Sequence, residues 1–296
     1  MLADVFRRLG PFGPVSDYAY LGMGSLWFSD FLLFHRTLGI KDMVSIEASI
    51  DSKERFLANR PFNITLHFSK TTEAIPKIDW GRRQLVWLDY DGRIDKDVVA
   101  DAKAVAGRAL SGSVLAISVN CVAAGELDEK DTSADKIVEK FSAQFDPAVV
   151  PGNLSVGALR GWAFGKVSRE ILTSEIIRTL NARDPDPAKG YSFKPICEIE
   201  YNDNANMTTL VGLIHSAEDQ QRADACAFEK LDFVDAKKSP VRITMPKLTT
   251  RELRVLEQQL PIYDKAKLVL GTIPESEAKS FVKIYRYFPN FSVLET

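Results

Sequence analysis

At 296 residues, 45% hydrophobic and 26% charged, the chain is long enough for one large domain or two modest ones without disulfide or metal staples. Its net charge of −2 excludes a global pull toward nucleic acid or anionic membrane. Cys121, Cys197 and Cys226 lie far apart and are odd in number, which argues against a disulfide framework or a cysteine zinc site and for a reducing compartment. The N-terminus, Met1-Leu2-Ala3-Asp4-Val5-Phe6-Arg7-Arg8, carries an early acid and no apolar stretch of the signal-peptide kind. No segment approaches the roughly 18 uncharged residues of a membrane helix. The expectation is a soluble, cytoplasmic protein.

The predicted elements begin with a short apolar run at 18–21 that stops at glycines. Ser29 or Asp30 can cap a helix that sets Phe31, Phe34 and Leu38 on one face, and Gly39 ends it. The run at 43–46 stops on Glu47, a second helix covers 51–59 before Pro61, and 63–68 alternates like a strand. The continuous apolar runs at 84–88 and 114–119, with a helix at 95–110 between them, have the character of strands buried on both faces. Strands alternating with helices predict a parallel, doubly wound α/β sheet.

From 121 to 190 the pattern is mostly helical, at 133–145 and 168–181, and closes in Asp184-Pro185-Asp186-Pro187. Strand-like runs at 193–201 and 207–216 flank Asn202-Asp203-Asn204-Ala205-Asn206, a turn-forming sequence that predicts a hairpin. Beyond about 240 the chain is again helical. Thr249 with Glu252 has the spacing of a capping box, and Pro274 suits the first turn of a last helix that gathers Phe281, Val282 and Tyr285. The domain reading is an α/β body over 1–239 with a helical insertion at about 121–190, and a helical extension over 240–296.

Three places can carry chemistry. Gly22-Met23-Gly24-Ser25 sits between a strand and a helix, where glycines let the backbone approach a ligand and a helix start offers free N–H groups. Trp27 and Phe28 fill the place where a dinucleotide fingerprint has its third glycine. Glu47 ends the next strand at close to the roughly 20-residue spacing of an acid that accepts hydrogen bonds from ribose hydroxyls. In Trp87-Leu88-Asp89-Tyr90-Asp91-Gly92, two acids emerge where the fourth strand is expected to end. They can hold a divalent cation or supply a base, and Asp89 is the stronger candidate because Asp91-Gly92 is also an ordinary turn pair. For each place the alternative is a turn or a solvated acid without a ligand.

A glycine loop after strand one, acids after strands two and four, and a late antiparallel hairpin resemble a class I, S-adenosylmethionine-dependent methyltransferase. The resemblance implies a Rossmann-like fold with Gly22, Gly24 and Ser25 at the methionine part of the cofactor and Glu47 at the ribose. Tyr20 or Leu21 stands where that family's loop begins with an acid. Leu88-Asp89-Tyr90-Asp91 is also similar to the acid-x-acid segment of metal-dependent O-methyltransferases. That likeness implies a divalent cation at Asp89, with Asn120 of Ser118-Val119-Asn120 in the second metal segment. The function expected is methyl transfer to a small or macromolecular acceptor, with Asp89 and Asp91 as catalytic candidates. The alternative is a non-catalytic methyltransferase-like subunit whose helical additions meet a protein partner.

Other residues read as structural. His35 lies in an amphipathic helix, His67 and His215 in strand-like runs, and Glu126, Asp128, Glu129 and Asp131 form a charge run of the solvated kind. Tyr285-Arg286-Tyr287-Phe288 mixes aromatics with a cation and reads first as helix packing.

Overall fold

In the computed structural model the strands are β1 (Ala19–Gly22), β2 (Asp42–Glu47), β3 (Thr65–Phe68), β4 (Gln84–Arg93), β5 (Ser113–Asn120), β6 (Tyr191–Asp203), β7 (Ala205–Ser216) and β8 (Val241–Arg242). They form one sheet in the order β3-β2-β1-β4-β5-β7-β6-β8. Neighbours from β3 to β5 pair in parallel, and β7 pairs antiparallel with both β5 and β6. The expected late hairpin is therefore present, with Asn204 in the left-handed conformation at its tip. Residues 1–128, 133–184, 186, 189–234, 239–262, 264 and 267–287 are described. The chain divides into two compact units, Leu2–Val241 and Arg242–Thr296 with Met1.

The larger unit carries α1 (Leu2–Arg7), α2 (Ser29–Leu38), α3 (Lys53–Asn59), α4 (Thr71–Ala74), α5 (Lys96–Ala106), α6 (Ala134–Ser142), α7 (Gly161–Arg183) and α8 (Gln220–Ala225). Alternation along the strands sorts the two faces of the sheet. Leu21, Val86, Leu88, Leu115 and Ile117 point to one face and join α5 and α7 in the main core. Tyr20 points to the other face, where Phe31 and Phe34 of α2 meet its ring edge-on at 4.9 Å each, and Phe6 of α1 packs on Phe34. This is an α/β Rossmann-like sheet flanked by helices.

Asp95 caps α5 through its side chain, which accepts from the N–H groups of Asp97 and Val98. The smaller unit holds α9 (Thr250–Glu257) and α10 (Glu275–Ile284), around a cluster of Leu256, Ile273, Ala278 and Phe281. The Thr249–Glu252 capping box forms at the start of α9, while Pro274 is the residue just before α10 rather than in its first turn. Among the described residues no helix is long and apolar enough to cross a membrane.

Three further expectations are corrected. Neither Ser29 nor Asp30 caps α2: the residue before the helix is Phe28, in left-handed backbone, and no side chain caps it. Phe28 is fully buried, so ring burial holds a conformation that costs a non-glycine residue on the order of 1 kcal/mol. Asp91-Gly92 is not a turn; β4 runs on to Arg93, which pairs with Asn120 of β5, and a register shift between Asp89 and Arg93 absorbs the extra residues as a bulge. The helix expected at 168–181 is longer, the single α7 of 23 residues. Pro185 and Pro187 of the proline-rich turn lie outside the described residues, as do Glu129, Asp131 and Phe288.

Candidate functional site

The sheet order reverses beside β1, where β2 and β4 flank it on either side. In open α/β sheets ligands bind at the carboxyl ends of the strands at such a point. Gly22 ends β1 there. A Cβ at Gly22 would lie 2.6 Å from the Tyr20 phenol oxygen, so the buried ring leaves no room for a side chain. A Cβ at Gly24 would lie 2.5 Å from Glu47 Oε1 and 2.5 Å from Ser45 Oγ. Both glycines are required by close approach.

Glu47 folds back onto this turn. The Gly24 N–H donates to Ser45 Oγ at 2.9 Å, and Ser45 Oγ donates to Glu47 Oε1 at 2.7 Å. Ser45 and Glu47 sit two apart on β2 and so share a face. Burial pushes the Glu47 carboxyl up to about 7, with the nearby Asp30 charge adding to the rise and the Ser45 and Gly24 hydrogen bonds opposing it.

The pH consequence has a definite sign. A carboxyl whose folded-state pKa lies above its unfolded value contributes stability that is fully present below the unfolded value and lost as pH rises through the folded one. For Glu47 that window runs from 4.5 to about 7, worth up to about 3 kcal/mol. Across pH 5 to 8, the urea midpoint of the wild type should fall relative to that of Glu47→Gln; parallel curves would rule the linkage out.

The structure adds a residue that the sequence reading used only as a possible helix cap. Asp30, in the first turn of α2, turns inward and accepts a hydrogen bond from the Tyr20 phenol. Burial raises the Asp30 carboxyl, and burial together with Asp30 raises the Tyr20 phenol well above its ordinary range. The signal in the sequence was present but indirect: Tyr20 stands where an acid was expected, and it reaches an acid ten residues on.

Ser25 is exposed, with its hydroxyl accepting from the Trp27 N–H at 3.3 Å. Asp89 is half-buried on β4, opposite Ser118 of β5, and close enough to Tyr20 for its charge to raise the phenol. Beside it the Trp87 indole N–H donates to Ser118 Oγ, which meets Thr209 Oγ1 at 2.9 Å. This tie fixes the indole next to Gly22, its register partner on β1. Asp91 is exposed at the bulged end of β4.

The Asn120 side-chain oxygen accepts from the Val122 N–H at 2.9 Å, closing its own local turn. Among the described residues no group of three or more His, Cys, Asp or Glu could hold a metal ion.

The histidines have local roles. His35 Nδ1 lies 2.7 Å from the Ile40 carbonyl and its ring packs on Phe62, while buried His215 lies 3.1 Å from the Ser216 carbonyl. His67 lies in β3, opposite Ile46. Arg286 lies 5.6 Å over the Tyr287 ring in the smaller unit. A separate cleft of about 330 Å³ between α7 and β6, lined by Arg169, Cys197 and Glu198 among others, contains none of the glycine-turn or strand-end residues described above.

A family profile described as "Putative O-methyltransferase" matches residues 1–296. Solved structures with similarity include Trm1 from Pyrococcus horikoshii with S-adenosyl-L-methionine, at 12% identity and a TM-score of 0.46, covering 75% of this chain and 56% of that one. Cofactor-bound Rv0187 from MTB aligns at 15% identity and a TM-score of 0.37, covering 72% and 78%. The Methanococcus jannaschii fibrillarin pre-rRNA processing protein aligns at 11% identity and a TM-score of 0.37, covering 67% and 66%. No curated protein matches the sequence.

Proposed function

The chain belongs to this family of O-methyltransferases, and on that premise we propose that it transfers a methyl group from S-adenosylmethionine bound at the Gly22–Gly24 turn. The observation that carries the proposal is the Gly24–Ser45–Glu47 arrangement: a turn with no room for a side chain, tied to a carboxylate at the end of the next strand.

Gly22, Gly24 and Ser25 would hold the methionine part, and Glu47 the ribose. Ser45 keeps the Glu47 carboxylate aimed at the turn. The bound cofactor supplies the methyl group as an electrophile. In-line displacement depends mainly on alignment, so the residues at the β4 end, Asp89 and the hydrogen-bonded Trp87, act by placing the acceptor. Asp89 can also accept the proton of an acceptor hydroxyl. Asp91, exposed on the rim, is placed to meet the acceptor before it enters. Trp27 and Ile50, 73% and 64% exposed on the loops that follow Gly24 and Glu47, give that rim an apolar contact surface for it.

Glu47→Ala is the direct test. S-adenosylmethionine should raise the melting temperature of the wild type and bind with measurable heat. The variant should lose at least tenfold in affinity, as expected when a charge-assisted hydrogen-bond acceptor is removed. A folded wild type that takes up no cofactor would instead favour a module that acts through a protein partner.

A further inference from the structure

Asp30 of α2 and Glu47 of β2 approach the glycine turn from different elements, and among the described residues neither has an ion-pair partner. They are close enough for the Asp30 charge to raise Glu47. Between them the Tyr20 phenol donates to Asp30 and lies against Gly22. The titratable groups facing Asp30 are thus Tyr20 on β1 and Glu47 on β2, with Asp89 on β4 acting on the same phenol. All are acidic. For buried Glu47 and part-buried Asp30 the missing counter-charge is costly, and their field reaches further in a low-dielectric surrounding than in water. An occupant with a net positive charge relieves that cost, and a neutral one does not.

We propose that Asp30 makes the turn selective for the charge of its occupant, favouring the sulfonium cofactor over the neutral thioether left after methyl transfer. The proposal rests on S-adenosylmethionine being the cofactor. In the transfer the methyl–sulfur bond breaks with its electron pair left on sulfur, the acceptor's lone pair forms the new bond, and the acceptor's proton passes to water or to Asp89. The positive charge at sulfur is then gone. The amino-acid ammonium and carboxylate are common to both molecules, so the difference Asp30 reads is that one charge. The turn would hold its substrate form and let the spent form go.

Calorimetric titration at pH 8 with S-adenosylmethionine and with S-adenosylhomocysteine tests this, on the wild type and on Asp30→Asn. The wild type should bind the sulfonium at least tenfold more tightly. Asp30→Asn should lose about tenfold for the sulfonium while its affinity for the thioether stays within threefold. If Asp30→Asn does not fold, Asp30→Ser is titrated in its place. Equal binding of both ligands by the wild type, or equal losses in the variant, would overturn the proposal while leaving the cofactor assignment intact. No heat with either ligand on folded wild type would reject both.

Discussion

Gly24→Ala is expected to lower the affinity for S-adenosylmethionine by at least a hundredfold and to cost about 1–3 kcal/mol of stability, the usual range for overpacking. The added carbon would lie 2.5 Å from Glu47 Oε1, 2.5 Å from Ser45 Oγ and 3.0 Å from the Phe28 ring. None of the three can yield alone. Ser45 binds both the Gly24 N–H and Glu47, and Phe28 is fully buried in the backbone conformation that starts α2. Relief of the clash therefore displaces the carboxylate proposed for the ribose. Gly92→Ala is the control, since a Cβ there meets nothing within 4 Å. It should leave affinity within threefold, as read by titration calorimetry and thermal melting of both variants. A Gly24→Ala protein that bound normally would remove the turn from the site.

Arg169→Met should lower the melting temperature by about 10–15 °C. Arg169 is 3% exposed, and its guanidinium lies 2.8 Å from Glu198 and 3.2 Å from Glu200, with Thr208 as a further acceptor. The two carboxylates are not equivalent. The Glu198 side chain keeps 32% of its exposure and can turn to water, whereas that of Glu200 keeps 4%. Removing the cation leaves Glu200 buried without its counter-charge, a loss of about 3–5 kcal/mol. In a unit of this size each kcal/mol moves the midpoint by about 2–4 °C. Glu200→Leu added to Arg169→Met should recover most of the loss, as apolar replacements of buried ion pairs often do. A single variant melting within about 3 °C of the wild type would show that water reaches Glu200.

The runs that became β4 and β5, and the hairpin of β6 and β7, were legible because each carries its own pattern: unbroken apolar residues in the first two, a turn sequence between two strand-like runs in the last. Gly39 likewise closes α2 in left-handed backbone, as its position suggested. Features that depend on a distant partner were not legible. Asp91-Gly92 has turn chemistry, yet Arg93 beyond it pairs with Asn120 of β5, so the dipeptide becomes a bulge within β4. Asp30 looks like a cap from its neighbours, but the hydroxyl of Tyr20 draws it inward. The Arg169 cluster joins residues from α7, β6 and β7 that share no local motif. Of the candidate site, Gly22, Gly24 and Glu47 were singled out from spacing, and the structure brings them together. Ser45, which holds two of them together, could not, because a serine inside a strand has no signature.

The strand order has a bearing on how the chain is made. β6 emerges before β7 during synthesis, yet its place in the sheet is on the far side of β7, with β5 reachable only through that intervening strand. Until residue 216 has left the ribosome, the outer edge of β5 has no neighbour to cover it, and its row of apolar side chains is one of the most buried in the finished molecule. A nascent chain at that stage carries an open, hydrophobic strand edge of the kind that recruits other chains. The long α7, translated just before the hairpin of β6 and β7 and packed in the finished fold against both of its strands, is in position to act as the surface on which that pair is assembled.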